Sequence, residues 1–208
     1  MPNLPWHEID TVLLDMDGTL LDLHYDNHFW LTHLPQTVAQ ATGQPLSECK
    51  AQMMNHYERV SGQIQWYCLD YWAEQLNLDI MAAKREIAHL IALRPDTIAF
   101  LDALKRSGRD VVLVTNSHPE GLALKVERTN LDAHIDTLIS THEFGVTKES
   151  QSLWQQLHSR LAFNPARTLF VDDSLPILQA AEQFGEPVEA DTSALDLLTD
   201  ETEIEEVF

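Results

Sequence analysis

Apolar positions along this chain fall into two rhythms. Thr11-Val12-Leu13-Leu14, Val111-Val112-Leu113-Val114, Thr137-Leu138-Ile139-Ser140 and Thr168-Leu169-Phe170-Val171 are short β-branched and aliphatic runs, and they predict buried strands. A weaker strand is expected at Pro187-Val188-Glu189. Between these runs the spacing turns helical. Asp96 opens a helix with Ile98, Leu101 and Leu104 inward and Gly108 at its end, and further helices are expected near Pro119 to Arg128, Glu149 to Leu161 and Pro176 to Gly185. Strands alternating with helices of this length predict an α/β fold with right-handed crossovers and a doubly wound parallel sheet.

From about Asp22 to Arg94 the strand-like runs vanish. Met53, Met54, Tyr57 and Val60 share a helical face, as do Leu69, Trp72 and Leu76, and then Ile80, Ile87, Leu90 and Ile91. Ser47 and Asp79 are expected N-caps, and Pro95 closes the segment. An all-helical insertion of roughly 70 residues is too long for an ordinary loop.

The polar residues that end the strands change the picture from fold to chemistry. Asp15 and Asp17, Thr115 and Asn116, and Asp172 and Asp173 each follow an aliphatic run, so all six are expected at the carboxyl edge of one sheet. Lys148 begins a helix between the last two of these strands. Four carboxylates gathered at one edge repel one another unless compensated. A bound divalent cation and a lysine supply that compensation.

Composition narrows the partners. At 208 residues, with 44% hydrophobic and 22% charged positions, the chain can bury a sizeable core. No apolar run approaches the ~20 residues of a membrane span, and no basic segment leads into an apolar one at the N-terminus. A soluble cytoplasmic protein without a membrane partner is therefore expected. The formal net charge of -20 leaves no basic stripe for a nucleic-acid backbone. It also means that any phosphate site must be made attractive locally. Cys49 and Cys68 show no zinc spacing and are expected as reduced side chains. His24, His28, His118 and His142 are expected to serve the fold, and the acidic stretch from Asp191 reads as a solvated face.

Taken together, Asp15-Met16-Asp17-Gly18-Thr19-Leu20, Val114-Thr115-Asn116, Lys148 and Asp172-Asp173-Ser174 match, in order and spacing, the four signature motifs of the haloacid dehalogenase superfamily. The helical insertion lies where that superfamily carries its C1-type cap. Within it, Thr11 to Trp30, Trp66 to Asp79, Thr115 to Phe144 and Arg167 to Gly185 resemble the bacterial GMP/IMP 5′-nucleotidases. The resemblance implies a Rossmann-like core of residues 1–22 and 95–208 with a small helical cap at 23–94. It further implies a Mg²⁺-dependent phosphomonoesterase acting as a monomer on a nucleoside monophosphate.

In such an enzyme Asp15 is the nucleophile that forms an aspartyl-phosphate. Asp17 is the general acid and then the general base. The Thr115 hydroxyl and the Asn116 backbone N–H hold phosphoryl oxygens, and the Lys148 ammonium offsets charge. Mg²⁺ is held by Asp15, the Asp17 backbone carbonyl and Asp173, with Asp172 acting through water. The sequence departs from the family in three places. Ile177 stands where many relatives carry an acid, Lys148 lacks an adjacent proline, and the stretch after Gly185 matches nothing in it.

Substrate choice is expected to lie with the insertion. Tyr25, Asp26, Asn27, Trp66 and Asp70 are the candidates to stack on a purine and read its edge, whereas Phe29 and Trp72 read as core. A sugar-phosphate or phosphoglycolate-type phosphatase or a phosphomutase is the alternative, because the core motifs do not encode the leaving group. A dehalogenase needs no leaving-group acid, so Asp17 argues against it. A non-catalytic phosphate-binding module should have lost a carboxylate or the lysine, and all are present.

Overall fold

The structure, a computed structural model, describes residues 4–185 and the strand at 188–190. The acidic stretch from Asp191 lies outside the described residues. Five strands, β1 (Thr11–Leu14), β2 (Asp110–Thr115), β3 (Thr137–Ser140), β4 (Thr168–Asp172) and β5 (Val188–Ala190), form one parallel sheet in the order β3-β2-β1-β4-β5. The central strand β1 is flanked by β2 and β4, with Leu14 level with Leu113 on one side and Val171 on the other. That register brings the carboxyl ends of the three strands to one edge.

Alternation along the strands divides the core in two. Val12, Leu14, Val111, Leu113, Leu169 and Val171 face one layer, and Leu13, Val112, Val114, Ile139 and Phe170 face the other. The second layer is closed by α9 (Gln151–Leu161) and α10 (Leu175–Phe184) through Leu153, Trp154, Leu157, Leu178 and Ala181. The first is closed by α7 (Thr97–Arg106) and α8 (Pro119–Thr129), and its apolar cluster runs on without a break into the insertion.

The insertion is helical throughout its described elements: α1 (His24–His28), α2 (Leu34–Thr42), α3 (Leu46–Val60), α4 (Ile64–Tyr67), α5 (Leu69–Leu76) and α6 (Ile80–Glu86). A π turn, Phe29–His33, joins α1 to α2 just before Pro35, which has no N–H to give the ladder. The Asp79 carboxylate caps α6 by accepting from the Ala82 N–H at 2.8 Å. Ser47 does not cap α3, because Pro45 fixes the turn and the helix starts at Leu46. Met54 is exposed rather than inward. The buried stripe of α3 runs Cys49, Met53, Tyr57 and Val60, and Met54 is turned about 100° from it. Helix α9 begins at Gln151, two residues later than the pattern predicts, because Ser150 caps it and Glu149 is drawn into the site.

Candidate active site

The strand-end residues converge on a cavity of about 130 Å³ lined by Asp15, Asp17, Thr115, Asn116, Lys148 and Asp173. Asp15 follows β1 and is buried. Its Oδ1 accepts from the Lys148 ammonium, and its Oδ2 is buried with no hydrogen-bond partner. The same ammonium donates to Asp172 Oδ2 at 2.6 Å, while Asp172 Oδ1 accepts from the Ser174 N–H at 2.8 Å. Burial raises the Asp15 pKa against the pull of Lys148, and the charges of Asp172 and Asp17 raise it further. For Lys148, burial disfavours the ammonium, but Asp15 and Asp172 outweigh it and hold the pKa above the usual lysine range.

Oxygen atoms of Asp15, Asp172 and Asp173 lie within 4.8 Å of one another. Three carboxylates with one buried oxygen unpaired are a hard donor set, the kind that Mg²⁺ or Ca²⁺ prefers. Asp173 is pressed over the turn after β1. Gly18 has φ +95°, and a Cβ there would meet Asp173 Oδ2 at 2.0 Å. Burial and the Asp172 charge raise the Asp173 pKa, and a cation bound there would oppose that rise.

Asn116 does more than the sequence implies. Its side-chain oxygen accepts from the Lys148 N–H at 2.9 Å and from the Thr141 hydroxyl at 3.0 Å, and its amide donates to Glu149 at 3.2 Å. The amide thus ties β2 to the loop that delivers the lysine. The Thr115 hydroxyl is buried and accepts from the Ser117 N–H at 3.0 Å. Ile177 forms an apolar part of the cavity wall, consistent with the missing acid at that position.

Asp17 is held by groups that the sequence does not single out. Its Oδ1 accepts from Lys125 at 2.6 Å, and its Oδ2 accepts from the Ser117 hydroxyl at 2.9 Å. Lys125, buried on α8, also donates to Asp26 at 2.7 Å. Burial raises the Asp17 pKa, with Lys125 opposing. Burial disfavours the Lys125 ammonium as well, but Asp17 and Asp26 together hold it charged. The signal for Lys125 is faint but present. It lies four residues after Gly121 on the inward face of α8, where a lysine requires a carboxylate partner.

A second, larger cavity of about 330 Å³ opens beside the first and shares Asp17, Tyr67, Ser117 and Asp173 with it. The insertion contributes Asp26, Asn27, Trp30, Trp66 and Lys84. Trp66 packs against Trp30 with ring centroids 5.4 Å apart and edge-on against Tyr57 at 5.0 Å. Two of the expected substrate residues are elsewhere. Tyr25 turns inward on α1, fully buried, and its hydroxyl donates to the Lys84 carbonyl at 3.1 Å. Asp70 points away from the buried Leu69 and Trp72, into solvent, with Oδ2 3.4 Å from His118 Nε2. His118 and His142 bond the backbone, and a ring nitrogen of each also lies within 4.8 Å of the other's and of Cys68 Sγ. The first accepts from the Glu120 N–H at 3.3 Å, and the second bonds the Asn116 carbonyl at 3.1 Å.

A parallel sheet with acids at the ends of β1 and β4, a polar pair after β2 and a lysine between them is the arrangement of one hydrolase class. The sequence model of the haloacid dehalogenase-like hydrolases matches residues 9–185, and the chain belongs to that family. It is 51% identical over 183 residues to the GMP/IMP nucleotidase YrfG of Escherichia coli strain K12, covering 88% of this chain and 82% of that protein. A haloacid dehalogenase-like phosphatase from Thermococcus onnurineus has the same fold, with a TM-score of 0.76 at 21% identity over 86% of this chain and 85% of that one. The (S)-2-haloacid dehalogenase H-109 of Pseudomonas putida is 24% identical, covering 86% of this chain and 84% of that protein. No helix among the described residues is long and apolar enough to cross a membrane.

Proposed function

We propose that this hydrolase is a Mg²⁺-dependent phosphomonoesterase acting on purine nucleoside 5′-monophosphates, GMP and IMP first among them. One observation carries the chemistry: Asp15, whose Oδ2 is buried and unpaired, lines a cavity together with Thr115, Asn116 and Lys148. The substrate class rests on the 51% identity to a protein named as a GMP/IMP nucleotidase and on the aromatic cavity adjoining the site.

In this reading the Asp15 carboxylate forms a bond to phosphorus as the ester P–O bond breaks, leaving an aspartyl-phosphate. Asp17 gives its proton to the departing 5′-oxygen, and burial, which raises its pKa, favours the protonated form that this step needs. Ionised, Asp17 then takes a proton from the water that cleaves the mixed anhydride. Thr115 and the Asn116 N–H hold the transferred oxygens, and Lys148 offsets their charge. Asp15, the Asp17 carbonyl and Asp173 would hold Mg²⁺, with Asp172 in support. The ion, when bound, supplies positive charge against the transferring phosphoryl group. Residues 23–94 act as the cap that encloses the leaving group, and the protein works as a cytoplasmic monomer.

The test is phosphate release with Mg²⁺ from GMP, IMP, AMP, UMP, phosphoglycolate, sugar phosphates and p-nitrophenyl phosphate, with Asp15→Asn as control. Preference for GMP and IMP, lost in the control and with EDTA, is the expected result. Release from sugar phosphates alone keeps the mechanism and discards the nucleotide. No release from any ester overturns the proposal.

A further inference from the structure

The larger cavity holds a charge that the proposed chemistry leaves unused. Lys84 sits beside Ala83 on the buried face of α6, 3% exposed, and lines the cavity. The carboxylate against it is Asp26, whose Oδ1 is 3.6 Å from the ammonium, beyond hydrogen-bonding distance. The other Asp26 oxygen is taken by Lys125. Around the ammonium stand aromatic rings, with centroids of Phe29 at 4.2 Å, Tyr25 at 5.0 Å and Trp30 at 5.4 Å. Those faces attract the charge but offer no lone pairs, so Asp26 is the one side-chain acceptor set against it among the described residues. An ammonium that borders the cavity, with its facing carboxylate 3.6 Å away and shared with Lys125, keeps donor capacity for a ligand that brings acceptors.

Resting on the nucleotidase reading above, we propose that Lys84 is the specificity residue that selects 6-oxopurines, donating from its ammonium to O6 and N7 of guanine or hypoxanthine. Those two atoms are adjacent acceptors on one edge of the base. Adenine offers N7 beside an amino group, whose hydrogens meet the ammonium with charge of the same sign. Position agrees with this role. Asp17, where the 5′-oxygen leaves, and Lys84 line the same cavity, so a nucleoside departing at one has its base within the space the other borders. Trp30 and Trp66 line that space as well and offer ring faces for the base.

The experiment compares kcat/KM for GMP, IMP and AMP in the natural chain and in Lys84→Met, with a melting curve to show that the variant folds. The GMP-to-AMP ratio is expected to fall about tenfold or more in the variant, the range of one good bidentate contact to a base edge. Two further substrates read the same contact on the natural chain. The monophosphate of 2,6-diaminopurine riboside, which has guanine's 2-amino group but adenine's 6-amino group, should behave like AMP. 7-deaza-GMP, which lacks N7, should lose about tenfold against GMP. A natural chain that prefers GMP over AMP, with that ratio unchanged in folded Lys84→Met, overturns the role of Lys84 alone. So does full activity on the diaminopurine substrate. A natural chain without preference between GMP and AMP overturns the role of Lys84 and the purine reading together.

Discussion

Lys125 and Asp17, 108 residues apart in the chain, meet at 2.6 Å, and the same ammonium holds Asp26 at 2.7 Å. The proposed general acid is thereby tied to α1 of the insertion through a single buried cation. Removing the cation leaves two carboxylates without their partner, which typically costs about 3–5 kcal/mol. Lys125→Met is expected to lose stability on that scale in urea unfolding and, by removing the charge that lowers the Asp17 pKa, to shift the alkaline limb of the kcat profile upward. A variant of unchanged stability and unchanged profile would show that the contact is dispensable.

Gly18 and Asp173 are matched in the same way. Replacing Gly18 by Ala places a methyl group 2.0 Å from Asp173 Oδ2 and forces an L-residue into positive φ. The carboxylate must shift, so Gly18→Ala and Asp173→Asn should both raise the Mg²⁺ concentration needed for half-maximal activity, by about tenfold or more. Titration of activity with Mg²⁺ after EDTA treatment checks this. An unaltered requirement would remove Asp173 from the ligand set.

Trp66 is half-buried at the wall of the larger cavity, and a stacked base typically contributes about 1–3 kcal/mol. Trp66→Ala should therefore depress kcat/KM for GMP about tenfold relative to p-nitrophenyl phosphate, which has no purine. An unchanged ratio would place the base elsewhere.

The pH dependence of selectivity follows from burial of Lys84. Desolvation lowers its pKa to about 8, with Asp26 the charge facing it in opposition and Lys125 beyond adding to the fall. A lysine with a lowered pKa is protonated below that value and neutral above it. The ratio of kcat/KM for GMP over AMP should decline as pH rises through about 8, since kcat/KM reports the free enzyme and the shared phosphate cancels. The decline should be absent in Lys84→Met.

Much of this architecture is legible locally. Strands β1, β2 and β4 are runs whose burial pattern follows from four to six neighbouring residues, and Asp15, Thr115 and Asp172 are recognisable because they end such runs. Gly18 is legible for the same reason, as the turn after β1 needs a positive φ. The expectation that Tyr25 and Asp70 line a substrate cavity fails because the choice of face on a short helix depends on what packs beneath it. Asp26, in the cavity, follows directly on Tyr25, whose ring is buried, and the two differ by about 100° around the helix.

The sequence by itself determined the parallel α/β sheet, the helical insertion and the cluster of acids at one sheet edge, since these arise from short-range periodicity and from what a strand end can carry. Lys148 was legible as the cation for Asp15, but only the tertiary structure decided which cation answers Asp17. Lys125 pairs with Asp17 and Asp26, and Lys84 is left with an ammonium bordering the larger cavity. A lysine on an apolar helix face announces that it needs a partner. Its partner is chosen by packing between elements far apart in sequence, and that information resides in the fold.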